Sequence, residues 1–151
     1  MADADGLKDG VSAKTDELAS QLLGKALDVL AVGEDLYVLL AVQDKAGNIA
    51  SYEFAEDGPE ECLEGARAKV GKVAAEKGDA SAGLGDPVRY ALTYRGAVED
   101  EAGAYQDAVI LEFGEKGYRS FSAFSLVDVT GDEDTFGWTE PAPAGEVGAL
   151  L

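Results

Sequence analysis

The sequence predicts one α+β domain, in which two helices pack on one face of a mainly antiparallel, five-stranded sheet. Two stretches carry apolar residues at helical spacing, and five shorter stretches have the apolar pattern of strands. They follow one another in the order α-β-β-α-β-β-β. A chain of 151 residues with 46% hydrophobic residues is long enough and apolar enough to build one core.

Both predicted helices have start signals and one apolar face. The first begins at Ser12 or Thr15, since either hydroxyl can cap a helix N-terminus. Its apolar face is carried by Leu18, Leu22, Leu23, Ala26 and Leu27. The second begins near Pro59 and stops at Gly78. Its apolar face is carried by Cys62, Leu63, Ala66, Val70, Val73 and Ala74.

The strands divide into a hairpin and a meander. Residues 36–42 are apolar on both alternating faces, so both faces should be covered. With the helices on one face, a second copy of the chain is the simplest cover for the other. Residues 49–54 return after a turn and complete the hairpin. The meander is predicted from three further stretches, residues 88–95, 105–113 and 119–127.

The predicted domain spans residues 11–127 and is flanked by acidic segments. Residues 1–10 are acidic and contain glycine, which predicts disorder. Residues 128–151 carry six acids, no base and two prolines, so they are predicted to form an acidic, largely flexible tail. Phe136 and Trp138 are candidate anchors there, suited either to a partner's groove or to folding back onto the domain.

The net charge restricts the expected partners. The chain has 30 acidic and 12 basic residues, a formal net charge of −18. Such a field repels phosphate backbones and anionic lipids, so neither nucleic acid nor a membrane is an expected partner. The single Cys62 excludes an intrachain disulfide, and the first 20 residues lack a signal-peptide pattern. A cytoplasmic location is therefore expected, with Cys62 in the core.

No catalytic or cofactor motif is present. The chain has no His, which removes the commonest general base and metal ligand. Phosphate-binding loops, nucleophile elbows and zinc-ligand spacings are also missing. We therefore predict a protein that is not an enzyme and has no cofactor. Glu99, Asp100 and Glu101 are only weak candidates for a cation site, because adjacent side chains on a loop diverge.

The meander supplies the candidate interaction face. Pairing across residues 96–103 is expected to place Arg95 and Glu112 on the sheet face opposite the helices. The predicted interaction face consists of Arg89, Arg95, Ile110, Glu112 and Phe124. It is partly apolar with opposite charges, which favours protein–protein association. The expected function is association without catalysis, as a homodimer or with another protein, for which the acidic charge favours a basic one.

Two other functions remain open. The alternative is a small-molecule or cation-binding domain with a pocket between the helices and residues 87–127. An enzyme is the third hypothesis. It would need an aromatic-lined pocket holding Tyr90, Tyr94 or Arg95 beside a buried carboxylate.

The meander also carries a resemblance. RYALTYRGAV (residues 89–98) followed by YQDAVILEFGEKG (residues 105–117) resembles a loose set of small bacterial proteins without assigned activity. The resemblance implies that Arg89, Asp107 and Glu112 belong to one structural pattern, and it carries no catalytic residue. The order of elements is similar to roadblock and longin-type modules, which are dimeric scaffolds.

Overall fold

The computed structural model describes residues 10–34, 36–55, 58–99, 102–128, 137–139, 141–148 and 150–151. The helices are α1 (Ala13–Ala31) and α2 (Pro59–Ala75), and a short 3-10 helix follows at Ala80–Ala82. The strands are β1 (Val38–Asp44), β2 (Ile49–Phe54), β3 (Pro87–Glu99), β4 (Tyr105–Glu115), β5 (Ser120–Asp128), β6 (Gly137–Trp138) and β7 (Ala142–Val147). Disorder was predicted for residues 1–10, of which residues 1–9 lie outside the described part.

Both helices begin and end at the signals that the sequence contains. Of the two predicted caps for α1, Ser12 is the one used, because its hydroxyl oxygen accepts the Thr15 N–H at 3.2 Å. The five predicted core residues of α1 are buried. Helix α2 starts at Pro59 and is closed by Gly78, which has a φ of 134° and donates its N–H to the carbonyl of Val73.

The sheet is antiparallel, with the strand order β2-β1-β3-β4-β5 followed by two short strands on the outer edge of β5. Strand β7 pairs with Ser120–Phe124, and β6 pairs with Val127 and Asp128. The described residues therefore form seven strands instead of the predicted five.

Two segments of the predicted tail form the strands β6 and β7 and pair with β5, so the prediction of five strands is wrong. Strand β7 is held by its pairing with β5. Beside β6, the Ser125 hydroxyl donates to the Thr139 carbonyl at 2.6 Å, and the Leu126 N–H donates to the Thr139 hydroxyl at 3.0 Å. The strands β6 and β7 were not predicted, because an edge strand with solvent on both faces needs no apolar alternation. Pro143 is also compatible with an edge position. Phe136 lies outside the described residues, and Trp138 is half exposed on β6.

The two helices lie on opposite faces of the sheet, so the prediction that both pack on one face is wrong. Helix α1 buries the face that carries Leu39 and Val109, and α2 buries the face that carries Leu40 and Leu92. Strand β1 is apolar on both faces because each face is covered by a different helix. A second copy of the chain is not needed to cover it. No helix in the described part has the length and apolarity to cross a membrane.

A buried carboxylate fixes the β1–β2 turn to the segment that precedes β3. Asp44 accepts the Asn48 N–H at 2.9 Å, the Asn48 side-chain amide at 3.0 Å and the Gly85 N–H at 2.7 Å. The Gly85 and Asn48 hydrogen bonds lower the pKa of Asp44, because they stabilise its charged form. This acid at the end of β1 therefore has a structural role.

Candidate functional site

The residues of the predicted interaction face lie on two different faces. Strands β3 and β4 pair with Arg95 opposite Val109 and Leu92 opposite Glu112. Paired residues share a face, so Arg89 and Arg95 lie on the α1 side. Ile110, Glu112 and Phe124 lie on the α2 side. The predicted shared face is wrong, because it requires a register one residue away, and such a shift moves every side chain to the other face.

Glu112 is buried beneath α2 and is held by two donors. Its Oε2 accepts Arg67 Nη2 at 2.6 Å and the Tyr94 hydroxyl at 3.0 Å. The Glu112 side chain is 5% exposed, whereas that of Arg67 is 41% exposed and reaches solvent. Burial, together with the neighbouring Glu112 charge, raises the pKa of Tyr94 to about 12. Arg67 was not predicted as the partner of Glu112, because no local pattern relates two residues 45 positions apart.

Arg89 is engaged in a network at the start of α1. Its Nε and Nη2 donate to Glu115 Oε1 at 3.1 and 2.9 Å, and its Nη1 donates to Gln43 at 2.8 Å. The Ser12 hydroxyl donates to the same Glu115 oxygen at 3.0 Å. The Arg89 side chain is 10% exposed, so it joins α1 to the sheet and is not presented to a partner. A cavity of about 250 Å³ lies beside this network.

Arg95 and the weak metal candidates lie at the far end of β3. Arg95 Nη2 is 3.3 Å from Asp107 Oδ2, and both side chains are more than one-third exposed. Glu99 is exposed on β3, while Asp100 and Glu101 lie outside the described residues. Within the described ranges, no three His, Cys, Asp or Glu side chains are grouped so that they could hold a metal ion.

An apolar pocket lies on the α2 side, where β1 begins and β2 ends. It has a volume of about 310 Å³. We call it the Tyr94 pocket, and its lining residues are Leu36, Tyr37, Val38, Phe54, Cys62, Tyr94 and Arg95. The first turn of α2 brings Cys62 into its wall, where the residue is 6% exposed. Strand β3 supplies Tyr94, so one wall of the pocket donates a hydrogen bond to the buried Glu112.

The sequence predicted the sheet face on which Tyr94 lies, but not the Tyr94 pocket itself. The alternation in residues 88–95 placed Tyr94 on the face that carries Tyr90 and Leu92, and the structure has all three on the α2 side. The remaining walls come from the ends of β1, β2 and α2, which meet only after folding. No sequence signal would have identified this meeting point.

No protein-family model, curated protein or solved structure matches the chain. The fold and the site therefore define its class. It is an α+β protein with a curled antiparallel sheet, one helix on each face, and an apolar pocket near the first turn of α2. The resemblances to small bacterial proteins and to roadblock and longin-type modules stay predictions.

Proposed function

We propose that the protein binds a small apolar molecule in the Tyr94 pocket. The observation that carries the proposal is a cavity of about 310 Å³ with apolar and aromatic walls. Ligand sites in proteins typically begin at about 300 Å³ and combine such walls with a few polar groups. Aromatic rings from Tyr37, Phe54 and Tyr94 provide contact area for the body of a ligand.

Arg95 contributes to the pocket wall, but its guanidinium pairs with Asp107 on the α1 side of β3 and is not directed at Tyr94. Among the described lining residues, the polar side-chain groups that reach the α2 side are the hydroxyl of Tyr94 and the thiol of Cys62. The pocket therefore fits an uncharged apolar ligand.

Binding is a better account of this pocket than catalysis. An aromatic pocket beside a buried carboxylate is the arrangement on which the enzyme hypothesis depends. However, a Tyr94 pKa of about 12 keeps its hydroxyl protonated near neutral pH, and Glu112 is already paired with Arg67. A hydroxyl that keeps its proton cannot act as a general base, and the Glu112 oxygen that faces it is engaged by Arg67 and Tyr94. Association through a sheet face opposite the helices, the favoured hypothesis from the sequence, lacks a surface because each face of the central strands carries a helix.

Octanol tests the proposal, with octanoate and octylamine as charged probes of the same length. We expect saturable binding of octanol by calorimetry and weaker binding of both charged probes, because an apolar pocket does not replace the hydration that a charge loses. Arg95→Gln and Arg119→Gln are the controls and should leave octanol binding nearly unchanged, because each guanidinium pairs with an acid outside the pocket.

Two substitutions at Cys62 distinguish the pocket from other apolar surfaces. Cys62→Met extends an apolar side chain into the cavity and should abolish binding, whereas Cys62→Ser keeps the size and should retain it. Failure of octanol to bind saturably would overturn the proposal. Unchanged binding by the Cys62→Met variant would overturn it as well.

A further inference from the structure

The hairpin of β3 and β4 extends beyond its neighbours in the sheet. Strand β1 pairs with β3 only as far as Thr93, and β5 pairs with β4 only as far as Ala108. Gly96–Glu99 and Tyr105–Asp107 therefore form a two-stranded arm. The Tyr105 side chain near its end is 72% exposed. Two-stranded ribbons have only marginal stability in water, so an arm of this kind gains from an additional strand.

One edge of the arm has no strand paired to it in the part of the chain that the structure describes. From Arg95 to Glu99, every residue of β3 has a partner in β4. On the opposite edge, the described residues provide no strand partner beyond Thr93. On this edge, Arg95 and Glu99 are charged, and the three residues between them are small or apolar. None of the five is a proline or a lysine, the residues that commonly block such an edge.

The sequence of this edge is complementary to itself. Residues 95–99 read Arg-Gly-Ala-Val-Glu. Two copies paired antiparallel about Ala97 place Arg95 of each opposite Glu99 of the other, on one face of the ribbon. On the other face, each Gly96 lies opposite a Val98. We propose that the protein forms a homodimer by pairing the Arg95–Glu99 edges of two copies across a two-fold axis.

Packing on the second face supports this arrangement. The Ile110 side chain lies across Gly96, where an added Cβ would be 2.7 Å from Ile110 Cδ1. A Val98 from the second copy, placed opposite Gly96, would therefore meet Ile110. Ile110 and Val98 are both partly buried in one copy and have apolar surface left to cover. Two of the predicted interaction residues, Arg95 and Ile110, thus contribute to the proposed dimer interface from opposite faces of the arm.

The dimer should be weak and sensitive to the sign of the paired charges. Five paired residues bury less area than the roughly 1,200–2,000 Å² of a stable interface, and each copy carries a formal charge of −18. Salt shortens the range of this repulsion, so moderate salt should favour association. The inference does not depend on a ligand in the Tyr94 pocket.

Sedimentation velocity tests the pairing at protein concentrations up to about 1 mM. Arg95→Glu places acid opposite acid twice, and Glu99→Arg places base opposite base twice, so each should weaken dimerisation about tenfold or more. Lys45→Glu and Glu76→Arg make the same charge changes at exposed positions outside the arm and should leave it unaffected. An equimolar mixture of the Arg95→Glu and Glu99→Arg variants should form a heterodimer, because every facing pair is again of opposite sign.

Three outcomes would overturn the inference. The first is a protein that remains monomeric at all concentrations. The second is a dimer that neither charge reversal weakens relative to its control, since it would use another surface. The third is a mixture of the two reversed variants that associates no better than either alone. None of these results bears on octanol binding in the Tyr94 pocket, which is measured separately.

Discussion

Arg67 Nη2 lies 2.6 Å from Glu112 Oε2, and this pair joins the middle of α2 directly to β4. The carboxylate is almost completely buried, while the guanidinium is 41% exposed. A charge removed from water in this way is tolerated only with a partner charge and hydrogen bonds, which Arg67 and Tyr94 supply. The Glu112 site therefore depends on α2 being seated on the sheet.

Removing Arg67 should destabilise the protein more than removing an exposed cation. We expect Arg67→Met to lower the free energy of unfolding by about 1–3 kcal/mol, because it leaves the Glu112 charge buried without its cation. Adding Glu112→Gln to this variant should restore part of the loss, since no buried charge then remains. Urea denaturation at pH 7 measures both effects. The control is Arg95→Met, which breaks an exposed pair and should cost less than about 1 kcal/mol. Equal costs for Arg67→Met and Arg95→Met would contradict the prediction.

Two tyrosines should make the fold sensitive to alkali. Burial and the hydrogen bond to Asp79 raise the pKa of Tyr52 to about 12, and burial with Glu112 raises that of Tyr94 to about 12. A folded-state pKa above the unfolded value of about 10 gives a contribution to stability that is complete below pH 10. That contribution is lost as the pH rises through 12, because the unfolded state then binds fewer protons than the folded state.

Urea midpoints measured from about pH 9 to about pH 12 test this dependence. The double variant Tyr52→Phe/Tyr94→Phe should lose less stability over this range than the unsubstituted protein, because it has no proton to release at either position. Tyr105→Phe is the control and should follow the unsubstituted protein, since its ring is 72% exposed. Parallel curves for the double variant and the unsubstituted protein would show that neither tyrosine contributes.

Gly114 should tolerate no side chain, because it faces the buried ring of Tyr90 across β3 and β4. A Cβ at Gly114 would lie 3.0 Å from Tyr90 Cε1 and closer still to the Ser120 hydroxyl. Tyr90 is fully buried and cannot move aside, so we expect Gly114→Ala to cost about 1–3 kcal/mol through overpacking. Gly71→Ala is the control: it lies in α2 with nothing within 4 Å, so alanine should be neutral or stabilise by about 0.5–1 kcal/mol. If Gly114→Ala and Gly71→Ala had equal midpoints of thermal unfolding, the predicted overpacking at Gly114 would be contradicted.

Much of the local structure could be predicted because its causes are local. The Ser12 cap, the leucine spacing of α1, and Pro59 and Gly78 at the ends of α2 each act within a few residues. The prediction failed for β7, whose formation depends on backbone pairing with β5 and needs no apolar pattern of its own. The Tyr94 pocket was only partly foreseen, because its walls come from four elements.

The sequence by itself determined the two helices and the strands β1 to β5, since periodicity and capping are properties of neighbouring residues. It also determined that β1 would be covered on both faces. Only the tertiary structure decided what covers them, because α1 and α2 are each apolar on one side and either could have packed on either face. The tertiary structure also decided the register between β3 and β4. With Arg95 opposite Val109, Glu112 turns toward α2 and Arg67, and Arg95 turns away from it.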